Sequence, residues 1–167
     1  MLKPQDILVV LKIFTLSKDS WTILEIAVSL GISPSQVHSS VKRLITCHLL
    51  NEYDRKPALE ALIEFIVCGI KYVFPAELGP AGRGMLTAHS YGVFKEKLVS
   101  SEAIVWPYAN GTDRGTTLKP LYHFVPFAAD GDEQLHGLLA VIDVFRIGRS
   151  RELAMATKEL NRLLNRK

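Results

Sequence analysis

Six consecutive residues, Gly31-Ile32-Ser33-Pro34-Ser35-Gln36, do most to limit what this chain can fold into. Glycine closes one helix, because it enters the left-handed conformation without a Cβ penalty. Ser33 then caps a new helix and Pro34 takes its first position, where a missing N–H costs nothing. Gln36, three residues after the cap, completes a capping box. Two helices joined by a tight turn are therefore predicted here, and the rest of the N-terminal third is read around them.

Pro4 opens a first helix whose broad apolar face is Ile7, Leu8, Val10, Leu11, Phe14 and Leu16. Lys18-Asp19-Ser20 reads as a turn, with Ser20 as the N-cap of a second helix that runs to Leu30 and turns Ile23, Leu24, Ala27 and Leu30 inward. The third helix, from Pro34 to about Cys47, anchors itself through Val37, Val41 and Leu44 at spacings of four and three. Ser35, Gln36, His38, Ser39, Lys42 and Arg43 are left on its opposite and flanking sides. Residues 49 to 53 have room for a short strand, and Asp54-Arg55-Lys56-Pro57 forms a basic turn. A further helix through Leu59, Leu62, Ile63, Phe65, Ile66, Val67 and Ile70 is hydrophobic on most sides.

The run Glu25-Ile26-Ala27-Val28-Ser29-Leu30-Gly31-Ile32-Ser33-Pro34-Ser35-Gln36-Val37-His38-Ser39-Ser40-Val41-Lys42-Arg43-Leu44 resembles the helix-turn-helix of MarR-like winged-helix bacterial transcriptional regulators. The resemblance covers about a third of the chain. It implies that the second helix of the pair enters the major groove of double-stranded DNA. Ser35, Gln36, His38, Ser39 and Lys42 are then candidates for base edges, while Arg43, Arg55 and Lys56 suit phosphates. Gln36 and Lys42 carry the chemistry that adenine and guanine edges require. A family-type wing needs two strands and a tip, whereas here Pro57 and the next helix arrive within a few residues, so the wing is expected to be short. Regulators of this kind read two half-sites as homodimers, a role open to the apolar segment around Phe65 and to the C-terminal seam.

The second half is mixed. Pro75, Gly79, Pro80, Gly82, Gly84 and Gly92 predict an irregular, ordered loop from about 73 to 92. Another runs from Trp106 to about Pro126. Two terminal helices follow, roughly Asp132 to Ile147 and Ser150 to Leu164, divided by Gly148. The second carries the seam Leu153, Ala156, Leu160, Leu163 and Leu164, with Arg151, Lys158, Glu159, Arg162 and Arg166 left for solvent or a partner. The fold class expected is α+β and predominantly helical, divided into a DNA-binding unit over 1–57 and a regulatory or dimerisation region over 58–167.

Arginines in glycine-rich settings, Arg83 in Gly-Arg-Gly and Arg114 in Asp-Arg-Gly, together with Arg146, Arg149 and Arg151, are candidates for a small anionic effector. The competing reading has them bonded to loop carbonyls, Asp143 or Glu152. His89, Ser90 and Asp143 form a hydrolase triad only on paper, for the Gly-x-Ser-x-Gly context is missing. No metal-ligand spacing, Walker motif or dinucleotide fingerprint occurs, so neither metal nor cofactor is expected and the chain is not read as an enzyme.

Two cysteines, Cys47 and Cys68, fit a reducing cytosol, and the longest apolar run is broken by Glu64 and Lys71. A cytoplasmic protein making no membrane contact is therefore expected. The formal charge of +3 is too small to imply nucleic acid by itself, and the residues after 57 are close to neutral. That neutrality leaves a rival reading open, an antitoxin-like module that binds the product of a neighbouring gene. A second rival is an enzyme or sensor acting on an anion through the arginine loops.

Overall fold

A computed structural model describes residues 1–17, 20–97 and 102–165. The N-terminal elements are α1 (Pro4–Leu16), α2 (Ile23–Leu30) and α3 (Pro34–Thr46). Ile7, Leu8, Val9, Val10 and Leu11 of α1 are fully buried on all sides, as the apolar run predicts for a central helix. The α2 start lies two residues beyond the expected one. Thr22, not Ser20, is the N-cap and accepts from the Glu25 N–H at 3.1 Å. Lys18 and Asp19 of the expected turn lie outside the described residues, as does Arg166. Ile26, Ala27 and Leu30 form the buried face of α2, and Leu24 points outward against expectation.

Gly31 ends α2 at φ +68°, the left-handed conformation for which glycine was read. The α3 cap is as the six-residue signature dictates: Ser33 Oγ accepts from the Gln36 N–H, and the Ser33 N–H donates back to Gln36 Oε1 at 3.0 Å. Val37, Ser40, Val41 and Leu44 bury its inner face. The short strand expected over 49–53 reduces to a single antiparallel bridge between Leu50 and Pro57, closed by Asn51 N–H to Lys56 O at 2.9 Å and Ala58 N–H to Leu49 O at 3.0 Å. Pro57 sits at the rung between these two bonds, where no N–H is needed, and the helix that begins at Leu59 ends the pairing.

The helix from 59 to 73 is continuous but not uniform: α4 (Leu59–Glu64) passes through a π-helical turn, Phe65–Gly69, into α5 (Ile70–Val73). Leu62, Ile66 and Ile70, four apart, are its buried edge.

Where two irregular loops were expected, three strands form instead: β1 (Leu78–Leu86), β2 (Ile104–Pro107) and β3 (Asp113–Leu118). β1 is antiparallel to both others, and β2 and β3 pair in parallel, so each strand is bonded to the other two. Glycine and proline argue against a strand in isolation, but here each has a place. Pro80 falls in the register irregularity between Leu78 and Ala81, where no ladder N–H is needed. A Cβ on Gly84 would overlap the Trp106 carbonyl, and one on Gly115 the Ala103 carbonyl. Backbones this close exclude every other residue.

A 3₁₀ turn (Ala88–Ser90), α6 (Gly92–Lys97) and α7 (Val125–Ala129) link the strands to α8 (Glu133–Ile147) and α9 (Ser150–Leu164), which lie where the sequence puts them. α8 is buried on most sides. The α9 seam, Ala156, Leu160, Leu163 and Leu164, is buried within the chain, with α8 its principal neighbour, and is not free for a second copy. One hydrophobic core runs from α1 to α9, and the Lys12 to Asp132 ion pair at 2.8 Å ties the two ends of the chain together. The molecule is α+β and predominantly helical. Among the described residues no helix is long and apolar enough to cross a membrane.

Candidate nucleic-acid interface

Because α3 buries Val37, Val41 and Leu44, the residues half a turn away must face outward. Ser35, His38, Lys42 and Thr46 form that exposed line, and Ser39 lies half-buried beside it. No acidic residue occurs anywhere in α3. Thr46 was not read from the sequence as part of this face. Its hydroxyl donates back to the Lys42 carbonyl at 3.0 Å.

Two residues assigned to DNA from the sequence are held elsewhere. Arg43 makes a two-pronged ion pair with Asp6 of α1, Nε to Oδ2 at 2.8 Å and Nη2 to Oδ1 at 2.7 Å, and a third bond to Ser40 Oγ. Asp6 is fully buried, and its hydrogen bond pushes Arg43 above the ordinary arginine value. This guanidinium neutralises a core carboxylate and does not reach for phosphate. Gln36 is likewise committed: Oε1 accepts from both the N–H and the hydroxyl of Ser33, and Nε2 donates to the Tyr122 hydroxyl at 3.2 Å. An adenine edge needs both ends of that carboxamide, and neither is free.

The hairpin after α3 presents Tyr53, Asp54, Arg55 and Lys56, all exposed. It stands upright because Trp21 props it. The indole Nε1 donates to the Arg55 carbonyl at 3.1 Å while the Arg55 guanidinium lies over the same ring at 4.1 Å. Arg55 sits at φ +54°, and Asp54 Oδ1 accepts from the Lys56 N–H at 3.0 Å to close the turn.

The second-half arginines do not converge. Arg83 and Arg114 face each other across the β1–β3 ladder. Arg146 is buried elsewhere, pairing with Asp143 Oδ1 at 2.7 Å and donating to the carbonyls of Phe74, Pro75 and Lys119. The Lys119 carbonyl it reaches is five residues along from Arg114, roughly 16 Å of strand. Arg149 is exposed at the start of α9, where its N–H donates to Glu152 Oε2 at 2.7 Å. Arg146 is thus structural, as the competing sequence reading had it, and neither it nor Arg149 joins the pair on the sheet.

Asp143 accepts from Trp106 Nε1 at 2.6 Å and Thr87 Oγ1 at 2.8 Å as well as from Arg146. Burial pushes its carboxyl up, while those donors and the Arg146 charge pull it down. Ser90 Oγ accepts from the Ile104 N–H at 2.8 Å. Ser90 and Asp143 are thus each bonded to other groups, and the buried His89 Nε2 has no hydrogen-bond partner, so no hydrogen-bonded triad is formed among the described residues. Among the described residues no group of three or more potential metal ligands is present.

Trp21, Asp6 and Tyr122 are the participants sequence reasoning missed. Each meets its partner across 34 to 86 residues of chain, and no local pattern announces such a pairing. Comparison of the chain with models of known protein families, with characterised proteins and with solved structures finds no match.

Proposed function

We propose that this chain is a sequence-specific double-stranded DNA-binding regulator of transcription, of the winged helix-turn-helix kind, acting as a homodimeric repressor. The observation that carries the reading is the outer line of α3: Ser35, His38 and Lys42, exposed and free of carboxylates, on a helix whose other side is fixed by burial and by a capping box. A helix of this width, about 10–12 Å with its side chains, matches a major groove of about 12 Å. Lys42 offers an ammonium donor to guanine O6 and N7, and Ser35 and His38 offer short donors or acceptors nearer the helix start. Arg55 and Lys56, carried on the short hairpin braced by Trp21, supply phosphate contacts that set register without reading sequence.

The test is selection of bound fragments from random duplexes, followed by titration of the selected site and a scrambled one. Lys42→Ala is expected to weaken the selected site by about 1–3 kcal/mol and the scrambled one much less. Absence of any affinity at low salt removes the reading. Sedimentation with and without the site checks the dimer, which single half-site contacts would otherwise leave weak.

A second reading, a protein-binding module of the antitoxin-like kind, draws on α2. Leu24 is 63% exposed and Val28, one turn on, 71% exposed. Substituting both by Ser is expected to leave DNA titrations unchanged and to abolish any stable heteromeric partnership.

A further inference from the structure

Arg83 and Arg114 stand directly opposite each other in the antiparallel β1–β3 ladder, and both are exposed. Directly opposed strand residues carry their Cβ atoms about 5 Å apart, and like charges there destabilise a sheet. On either side of the pair the rungs are Gly82 with Gly115 and Gly84 with Asp113, which fix the two arginines in register.

Arg83 cannot simply swing away. Its Nε donates to the Gly111 carbonyl at 2.5 Å, which holds the guanidinium in place and leaves both Nη groups available. Among the described residues Arg114 has no hydrogen-bond or ion-pair partner. Asp113 accepts from Thr112 Oγ1 at 3.3 Å and Glu102 from Thr116 Oγ1 at 2.9 Å, and no ion pair joins either carboxylate to Arg83 or Arg114 among the described residues.

From this we infer a binding site for a phosphate-class oxyanion, inorganic or as a small monoester, held between the Arg83 and Arg114 guanidinium groups. A tetrahedral anion accepts from two planar forks at once, each donating two parallel N–H bonds, and it removes the repulsion that the empty pair carries. The site lies on the sheet, and the proposal is independent of whether α3 binds DNA.

The experiment is thermal melting of the full chain in chloride, in inorganic phosphate and in a nucleoside monophosphate, at matched ionic strength so that simple screening is constant. The unmodified chain is expected to melt progressively higher as either phosphate species is added, with saturation. Arg114→Gln is expected to melt about 1–3 °C above the unmodified chain in chloride, since it removes a repulsion, and to lose the phosphate response. Arg114→Glu, which places a carboxylate opposite Arg83, should show the same two changes. A monoester response at lower concentration than inorganic phosphate identifies an esterified ligand, and equal responses identify the free anion. Arg114→Gln melting below the unmodified chain in chloride, or keeping the phosphate response in full, overturns the site.

Discussion

Arg43 illustrates how a residue's chemistry underdetermines its role. A cation on the flank of a reading helix without acidic residues looks like a phosphate ligand until Asp6, 37 residues earlier, is seen to be fully buried and in need of a counter-charge. The consequence is testable. Arg43→Ala leaves a core carboxylate unpaired and is expected to cost about 3 kcal/mol of stability by urea denaturation. That is the low end for breaking a buried pair, since the guanidinium keeps one-fifth of its exposure. The double substitution Asp6→Ala with Arg43→Ala should be less destabilised than Arg43→Ala alone, because the stranded charge goes with it. A double substitution that adds the two single losses would mean that the pair is not a unit. Lys42, one position earlier, should behave in the opposite way, affecting DNA titrations and leaving the urea midpoint unchanged.

Among the elements, the three strands were the least legible. Leu78–Leu86 contains three glycines and a proline, a composition that points away from regular structure when only local propensity is weighed. The compensating facts are all non-local, namely the Trp106 carbonyl against Gly84, the Ala103 carbonyl against Gly115 and a register irregularity at Pro80. Gly115→Ala is therefore expected to destabilise by about 3 kcal/mol, the upper part of the range for overpacking, with loss of the β signal in circular dichroism. An alanine tolerated there within experimental error would show that the strands can separate. α3 is the contrary case. Its start needed only Ser33, Pro34 and Gln36, which act within four residues of one another.

Across the whole molecule, α8 packs against more elements than any other, and His136 on it reports whether that packing is intact. Its Nε2 lies 2.7 Å from the Leu86 carbonyl, and its ring stacks on Tyr91 at 3.7 Å. Burial lowers its pKa below the ordinary 6.5, outweighing the hydrogen bond to Leu86 and the nearby carboxylates Asp130 and Glu133. Below pH 6.5 the unfolded chain binds a proton that the folded chain refuses. Stability is accordingly full above that pH and falls as the solution is acidified toward the folded value. Urea midpoints from pH 7.5 to 5.5 should fall in the unmodified chain and fall less in His136→Gln; parallel curves would assign the pH dependence to other groups. What the residues alone settled was carried by near neighbours: α1, α8 and α9, the capped start of α3 and the outward line of Ser35, His38 and Lys42. Periodicity and capping act over one or two turns. Only the folded chain decided which polar groups were already taken, Gln36 by Tyr122 and Arg43 by Asp6, and that glycine-rich stretches become strands. Those outcomes depend on which distant segment arrives alongside, and no spacing within a segment encodes its arrival.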